Sequence, residues 1–238
     1  MSKNDYVLIS CEHGGNRIPD RYRSLFSGFE AVLQTHRGYD AGALAMARDL
    51  ASSLSAPLFV ATTSRLLVDL NRSIGHPRIY SNATRAAPVM IRREILQKYY
   101  LPYRNRVEAD ISAAIARGNR VIHIASHSFT PELDGVVRNA DIGLLYDPAR
   151  SAEIALCREW QTQLAAVAPD LKVRRNYPYT GRSDGFTAYL RRSFQAESYL
   201  GIELEINQKH VLNSRRHWRA FRLGVIDALR RALKNCHA

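Results

Sequence analysis

Two histidines in the sequence each lie at the end of a short apolar run. His13 follows the run 6–9, and His127 follows the β-branched run 121–125. Neutral imidazoles are good zinc ligands, and a catalytic zinc site usually combines about three protein ligands, often with one carboxylate, and a position for water. A single histidine in such a place more often forms only a hydrogen bond within a loop. The pair therefore indicates a metal site only if a third ligand accompanies it.

The third ligand is open among Asp40, Glu12 and Asn16. Carboxylate oxygen binds zinc better than amide oxygen does, which weakens the case for Asn16. Glu12 is adjacent to His13, and neighbouring side chains of an extended chain point to opposite sides. Asp40 stands near the start of the small-residue segment 41–51 and is the favoured third ligand.

Glu203 and Glu205 lie two positions apart in the apolar segment 199–206, which predicts a strand with both acids on one face. Two buried acids are costly unless they meet cations, hydrogen-bond donors or a metal ion. One of them is suited to take a proton from a metal-activated water and to return it to the leaving amine. The alternative is an acid pair that is bound only by arginine side chains.

Asn71, Arg72 and Arg138 are candidates for holding an acidic substrate. A guanidinium presents a planar fork that matches a carboxylate. Each of these arginines taken alone is more often a surface residue. Nucleotide and serine-nucleophile chemistry lack support, because the sequence has neither a phosphate-binding glycine motif nor a nucleophile-elbow pattern.

The elements that must position these residues alternate between strands and helices. Strands are predicted at 7–10, 58–61, 66–70, 121–125, 142–146, 171–174 and 199–206, and helices at 34–54, 91–117 (interrupted by Pro102), 152–167 and 215–233. This alternation predicts a single α/β domain over residues 1–238, with a central, mostly parallel or mixed sheet and helices on both faces. The segments 73–89 and 176–184 are candidate active-site loops.

The composition is that of a globular protein with an excess of basic residues. Lys and Arg number 34 against 22 Asp and Glu, and this net charge of +12 raises the question of nucleic-acid or acidic-ligand binding. The basic residues show no zinc-finger spacing or RNA-binding aromatic pattern, so we expect no nucleic-acid partner. Without a membrane-length apolar run, a signal peptide or a disulfide framework, we expect a cytoplasmic protein with no membrane partner.

Six segments together resemble the N-formylglutamate amidohydrolase family. They are SCEHGGNRIP, GYDAGA, SRLLVDLNRS, IASHSFTPELDGVVRNADIGLLYD, RRNYPYTGRSDGFT and GIELEINQ, in this order between about Val7 and Gln208. The resemblance implies a single-domain fold of the phosphorylase/hydrolase-like type, similar to zinc carboxypeptidases and to the aspartoacylase and succinylglutamate desuccinylase group. It also implies metal-dependent hydrolysis of an N-acyl amino acid, which in the type case gives formate and glutamate.

Matched residue by residue, the family pattern places metal ligands at His13, Asp40 and His127 and the proton-transferring acid at Glu205. The resemblance thus implies one zinc ion as the cofactor and a small anionic N-acyl amino acid as the substrate.

Other positions receive supporting roles from the same resemblance. The pair Asn71-Arg72 is similar to the pair that holds the substrate carboxylate in the carboxypeptidase relatives. Zinc carboxypeptidases have a carboxylate three residues after the first histidine, where this chain has Asn16. Glu12, Ser128 and Glu203 are assigned to the surroundings of the ligands.

We therefore predict an amidohydrolase in which Glu205 shuttles a proton and Arg72 with Arg138 anchors a substrate carboxylate. The first alternative is a hydrolase that uses the same zinc site on a different N-acyl amino acid or on a peptide. The second is a non-enzymatic anion or nucleic-acid binding protein, which would leave the grouping of histidines and glutamates unexplained.

Overall fold

The computed structural model describes residues 5–236 and is organised around a six-stranded sheet. The strands in chain order are β1 (Asp5–Cys11), β2 (Leu58–Val60), β3 (Arg120–Phe129), β4 (Glu132–Leu133), β5 (Val136–Val137), β6 (Ile142–Leu145), β7 (Val173–Arg175) and β8 (Tyr199–Asn207). The sheet has the order β2-β1-β3-β8-β6-β7, and β4 with β5 forms a separate hairpin.

Neighbouring strands of the sheet are parallel except for the antiparallel pair of β8 and β6. The strands β1, β3 and β8 form its middle, and their register places His127 directly opposite Glu205. The predicted α/β fold class, with a mostly parallel but mixed sheet, is confirmed.

The helices are α1 (Glu30–Leu33), α2 (Ala43–Leu54), α3 (Asn82–Arg85), α4 (Val89–Ile95), α5 (Leu101–Ala116), α6 (Ser151–Val167), α7 (Phe186–Ser193) and α8 (Arg215–Asn235). Short 3-10 segments occupy Asp20–Phe26 and Gln208–His210, and a π-helical turn occupies Leu96–Tyr100. Within residues 5–236, none of these helices has both the length and the apolar character needed to cross a membrane.

Helices cover both faces of the sheet, because the central strands are apolar on both sides. On one face, Ile9, Ile124 and Ile202 pack in a core with α2, α6 and α8. On the other face, Leu8 and Val121 pack with α5 and α7. Since side chains of a strand alternate between faces, the second face of β3 and β8 also carries the acids and the histidine of interest.

Two predicted elements differ from the structure. The strand predicted at 66–70 is wrong, because these residues form a buried segment of turns in which the Asp69 N–H donates to the Ile79 carbonyl. The helix predicted to start at 34 begins only at Ala43, after Gly42, whose φ of 82° lies outside the helical region.

Two other elements keep their predicted type but change in extent. The strand β3 runs on to Phe129, so His127 lies within the strand rather than after it. The long helical segment is interrupted as predicted near Pro102, which occupies the first turn of α5 directly after the π-helical turn.

Gly143 in β6 marks a close approach of two chain segments. It stands opposite Glu205 of β8, and a Cβ atom at this position would overlap the carbonyl oxygen of Tyr177. By contrast, a Cβ atom at Gly224 in α8 would meet open space.

We expect Gly143→Ala to lower the free energy of unfolding by about 1–3 kcal/mol, because the backbone near Tyr177 must move. The matched control, Gly224→Ala, should raise the free energy of unfolding by about 0.5–1 kcal/mol, since alanine favours a helix interior. Urea unfolding followed by circular dichroism measures both changes. A Gly143→Ala protein as stable as its parent would contradict the close approach.

Candidate active site

A cavity of about 870 Å³ opens at the carboxyl ends of β1, β3 and β8. Sheets of α/β proteins bind their ligands at this end of the strands. The floor of the cavity is formed by buried residues of these strands and of the loop before α2, and both candidate loop segments, 73–89 and 176–184, contribute lining side chains. Basic side chains line much of it: His36, Arg37, Arg65, Arg72, His76, Arg78, Arg85 and Arg138.

His13, Asp40 and His127 converge at the floor of the cavity, and we call these three residues the cluster. Their ligand atoms lie within 4.8 Å of one another. Asp40 Oδ2 lies 2.9 Å from His127 Nδ1 and 3.3 Å from His13 Nδ1. The Asp40 N–H also donates to the His13 carbonyl at 2.9 Å, which ties the loop before α2 to the end of β1. The structure thus brings the favoured third ligand to both histidines.

Each histidine has a second carboxylate on the far side of its ring. His13 Nε2 lies 2.7 Å from Asp69 Oδ1, and His127 Nε2 lies 3.2 Å from Glu12 Oε2. The Tyr103 hydroxyl donates to the other oxygen of Glu12 at 2.9 Å. With both Nε2 atoms facing carboxylates, the Nδ1 atoms are left to face the interior of the cluster.

Arg65 joins two of these carboxylates. Its Nη1 lies 3.2 Å from Asp40 Oδ1, and its Nη2 lies 2.8 Å from Asp69 Oδ2. Since both carboxylates also contact His13, the four side chains form a closed ring. The rigid fork of the guanidinium fixes the separation of the two carboxylates and thereby the orientation of the imidazole.

The protonation of the cluster follows from its mutual contacts. Burial alone would raise the pKa of Asp40, but His13, His127 and Arg65 hold this pKa well below its usual value. Burial alone would lower the pKa of His127, but Asp40 and Glu12 raise this pKa well above its usual value. The carboxylates therefore surround and stabilise a positive charge at the floor of the cavity.

Glu205 differs from Asp40 and Glu12 because the effect of its burial outweighs that of the positive charges around it. It is 6% exposed, and its Oε2 has no hydrogen-bond partner among the described residues. Burial, together with the charges of Asp40 and Glu203, raises the pKa of Glu205 to about 8 against the lowering effect of His127. A side chain opposite His127 with such a pKa is suited to carry a proton near neutral pH.

Glu203, on the same face of β8, has a defined hydrogen-bond donor instead. The Thr187 hydroxyl donates to Glu203 Oε1 at 2.6 Å. Nearby, Asn71 Oδ1 accepts the N–H of Phe186 at 2.6 Å. Among the described residues, neither Glu203 nor Glu205 forms an ion pair with an arginine, which speaks against an acid pair held by arginines alone.

The two predicted substrate arginines both line the cavity. Arg72 Nη1 donates to the carbonyl of Asp184. The Arg138 guanidinium lies over the ring of Tyr179, 5.1 Å from its centroid, and 5.9 Å from that of Phe129. The two guanidinium groups thus have different immediate neighbours, a backbone carbonyl for Arg72 and aromatic rings for Arg138.

The remaining candidates fall into different places. Asn16 lies outside the cluster, because its Nδ2 donates to the Leu33 carbonyl at 3.1 Å and to Gln34 Oε1 at 3.0 Å. The Ser128 hydroxyl donates to the Ala41 carbonyl at 2.7 Å, and the Ser128 N–H lies 3.4 Å from Asp40 Oδ2. Ser128 therefore supports the loop that carries Asp40.

The sequence analysis missed Asp69, Arg65 and Tyr103. A signal for Asp69 was present, because a carboxylate inside an apolar run must find a partner when it is buried. Arg65 stands four residues before it and is that partner. Tyr103 gave no signal, since its contact with Glu12 joins positions 91 residues apart.

A family model described as N-formylglutamate amidohydrolase matches residues 6–212, which include every residue of the cluster and Glu205. The chain belongs to this family. The resemblance seen in the sequence motifs is thus confirmed, and family membership supports an amidohydrolase that acts on amides. A search of curated proteins finds no match.

Two solved structures are similar to this N-formylglutamate amidohydrolase family member. A gene product of Agrobacterium tumefaciens is 30% identical with a TM-score of 0.82, and the match covers 96% of this chain and 90% of that chain. The N-formylglutamate amidohydrolase of Ralstonia eutropha JMP134 is 18% identical with a TM-score of 0.71, over 98% of this chain and 94% of that chain. At this identity the second similarity shows the fold alone.

The raised pKa of Glu205 makes the stability of the metal-free protein depend on pH. The carboxyl has an ordinary pKa of 4.5, whereas the folded protein holds its proton up to about pH 8, so stability is lost as the pH rises through this window. We expect Glu205→Gln to be more stable than its parent by about 4 kcal/mol near pH 8 and by little near pH 4.5.

Urea unfolding at the two pH values, in the presence of a chelator, measures this difference. Glu203→Gln is the matched control, because it changes an acid that already has a hydrogen-bond donor. A stabilisation by Glu205→Gln that does not vary with pH would show that the carboxyl is already ionised in the folded protein.

Proposed function

We propose that the protein is a zinc-dependent amidohydrolase that removes the acyl group of N-formylglutamate or of a similar anionic N-acyl amino acid. The observation that carries this proposal is the His13, Asp40 and His127 cluster at the floor of a cationic cavity, beside the Glu205 carboxyl, whose Oε2 has no hydrogen-bond partner within residues 5–236. Family membership supports the amide as the bond that is hydrolysed.

The residues of the cluster fit a zinc ion. Two imidazole nitrogens and one carboxylate oxygen are the donor set of many catalytic zinc sites. Both Nδ1 atoms approach Asp40 Oδ2, so the donors already converge. The carboxylates of Asp69 and Glu12 hold the Nε2 atoms from behind, so both Nδ1 atoms are directed inward, where a metal ion would take the place of a proton.

A bound zinc ion would polarise the acyl carbonyl and acidify a water molecule. Glu205 would accept the proton of this water and pass it to the departing amine, because it faces the cluster and no described residue forms a hydrogen bond with its Oε2. Its pKa of about 8 is that of the protein without a cation, and a positive charge beside it favours the carboxylate form that a general base needs.

The walls of the cavity supply the recognition of an anionic substrate. Asn71 lies near Glu203, and Arg72 follows Asn71 in the chain and lines the same cavity, where the amino-acid portion of the substrate would lie. The basic lining also favours encounter with an anion by long-range attraction. The substrate would thus be oriented with its amide over the cluster and its carboxylate toward Arg72.

Removal of one ligand should abolish both metal binding and activity. We expect the purified protein to hold about one zinc per chain and to deformylate N-formyl-L-glutamate, and we expect His127→Ala to lose both properties. Glu205→Gln is the matched control, because it should keep zinc while kcat falls by about 10²–10⁴-fold. Metal analysis together with formate release measures these changes. Full activity in the presence of a strong chelator would refute the proposal.

The carboxylate behind His13 should affect zinc affinity without contacting the metal. We expect Asp69→Asn to weaken zinc binding by about 10–100-fold, because His13 loses a charged partner and Arg65 loses one of its two carboxylates. Competition with a zinc chelator measures the affinity. Asp184→Asn is the control, because Asp184 lines the same cavity but bonds to Ser73. Equal zinc affinities of the two variants would contradict a role of Asp69 in supporting His13.

A further inference from the structure

Positions along the floor of the cavity can be given by the residues of strand β8. Glu203, Glu205 and Asn207 project to the same face at two-residue intervals, and Glu205 stands opposite His127. At about 3.3 Å per residue, the Cα atoms of Glu203 and Asn207 are about 13 Å apart. A group beside Glu203 and a group beside Asn207 therefore lie on opposite sides of the cluster.

Asn71 and Arg72 lie on the Glu203 side. A Cβ atom built on Gly185 would be 3.1 Å from Glu203 Oε1 and 3.2 Å from Asn71 Oδ1, so these two side chains share a neighbour. Arg72 donates a hydrogen bond to the carbonyl of Asp184, the residue before Gly185. The Arg72 guanidinium therefore lies close to the start of α7.

Arg138 lies on the Asn207 side. Its carbonyl accepts a hydrogen bond from Asn207 Nδ2 at 3.3 Å. Its guanidinium lies near the ring of Phe129, and Phe129 is paired with Asn207 in the register of β3 and β8. His36 and Arg37 line the same cavity, and we call His36, Arg37 and Arg138 the Arg138 group. Partial burial lowers the pKa of His36, and the nearby charges of Arg138, Arg65 and Arg37 lower it further.

The Arg138 group carries positive charge that the protein does not neutralise. Among the described residues, no carboxylate forms an ion pair with Arg37 or Arg138, whereas Arg65 is bound by two carboxylates. Cations gathered at a cavity wall without acids repel one another, and an anionic ligand relieves this repulsion. The planar fork of Arg138 is held over the ring of Tyr179 and is available for a carboxylate.

We propose that the Arg138 group is a second anion subsite, which receives a carboxylate on the acyl portion of the substrate. The amide then lies over the cluster, with the amino-acid carboxylate toward Arg72 and the acyl carboxylate toward Arg138. The site would then accept, besides N-formylglutamate, N-acyl amino acids whose acyl group comes from a dicarboxylic acid, and would prefer these to compounds with an uncharged acyl chain of the same length. This inference rests on the proposed amidohydrolase function and specifies which acyl groups the site prefers.

Two matched pairs of substrates test the assignment. N-succinyl-L-norvaline and N-butanoyl-L-norvaline differ only by a carboxylate in place of a methyl group at the end of the acyl chain. N-formyl-L-glutamate and N-formyl-L-norvaline differ in the same way at the end of the amino-acid side chain. We expect kcat/KM for the succinyl compound to exceed that for the butanoyl compound by about tenfold or more.

The variants Arg37→Gln and Arg138→Gln should reduce this succinyl-to-butanoyl ratio toward one, and Arg138→Lys should restore part of it. Arg85→Gln is the matched control, because Arg85 lines the cavity but is bound by the carbonyls of Pro77 and Tyr80. Its ratio should equal that of the parent. A parent ratio near one, or variants that remove only the preference for glutamate over norvaline, would overturn the inference.

Calorimetry separates this inference from the proposed function. If the zinc-loaded protein hydrolyses none of the four compounds, the amidohydrolase proposal fails. Succinate should still bind more tightly than butanoate by about tenfold, and Arg138→Gln should remove the difference. Equal binding of succinate and butanoate to the parent protein would refute the subsite itself.

Discussion

The compensation of buried charge at the carboxyl ends of β1, β3 and β8 governs the rest of the structure. Asp40, Asp69 and Glu12 are each 5% exposed or less, and an unpaired charge at such a depth costs several kcal/mol. The imidazoles of His13 and His127, the Arg65 guanidinium and the Tyr103 hydroxyl supply the missing partners. Loops that carry these partners must therefore reach the same small volume, whatever their local preference.

This constraint explains which features could be predicted from the sequence. In β8, acidic and apolar residues alternate strictly, so each face of the strand carries one of the two kinds of side chain. The spacing alone therefore predicted that this segment is a strand and that its two acids share a face. Residues 66–70 have the composition of a strand but form turns, because Asp69 must face His13 while Leu67 and Leu70 pack in a separate core. The contacts of Tyr103 join distant parts of the chain and have no local pattern.

Two glutamates on one face of one strand have different environments. Glu203 is bonded by Thr187, whereas the buried Oε2 of Glu205 has no partner among the described residues. Spacing predicted that they share a face, but it could not predict which one is left uncompensated, since this depends on α7 and on the cluster. A pair of like groups whose surroundings separate their behaviour is a recurrent arrangement in sites that transfer protons.

The strand β8 is hydrogen-bonded on both edges, to β3 and to β6. Its peptide spacing cannot stretch, and a single inserted residue would turn Glu205 away from the cavity. The distance between the Glu203 side and the Asn207 side of the cavity is thus fixed by the backbone of β8 rather than by side chains. Proteins with this fold can change the length of the substrate that they accept only by exchanging or extending the loops at the two sides of the cavity. The residues of the reaction centre between these loops stay in place.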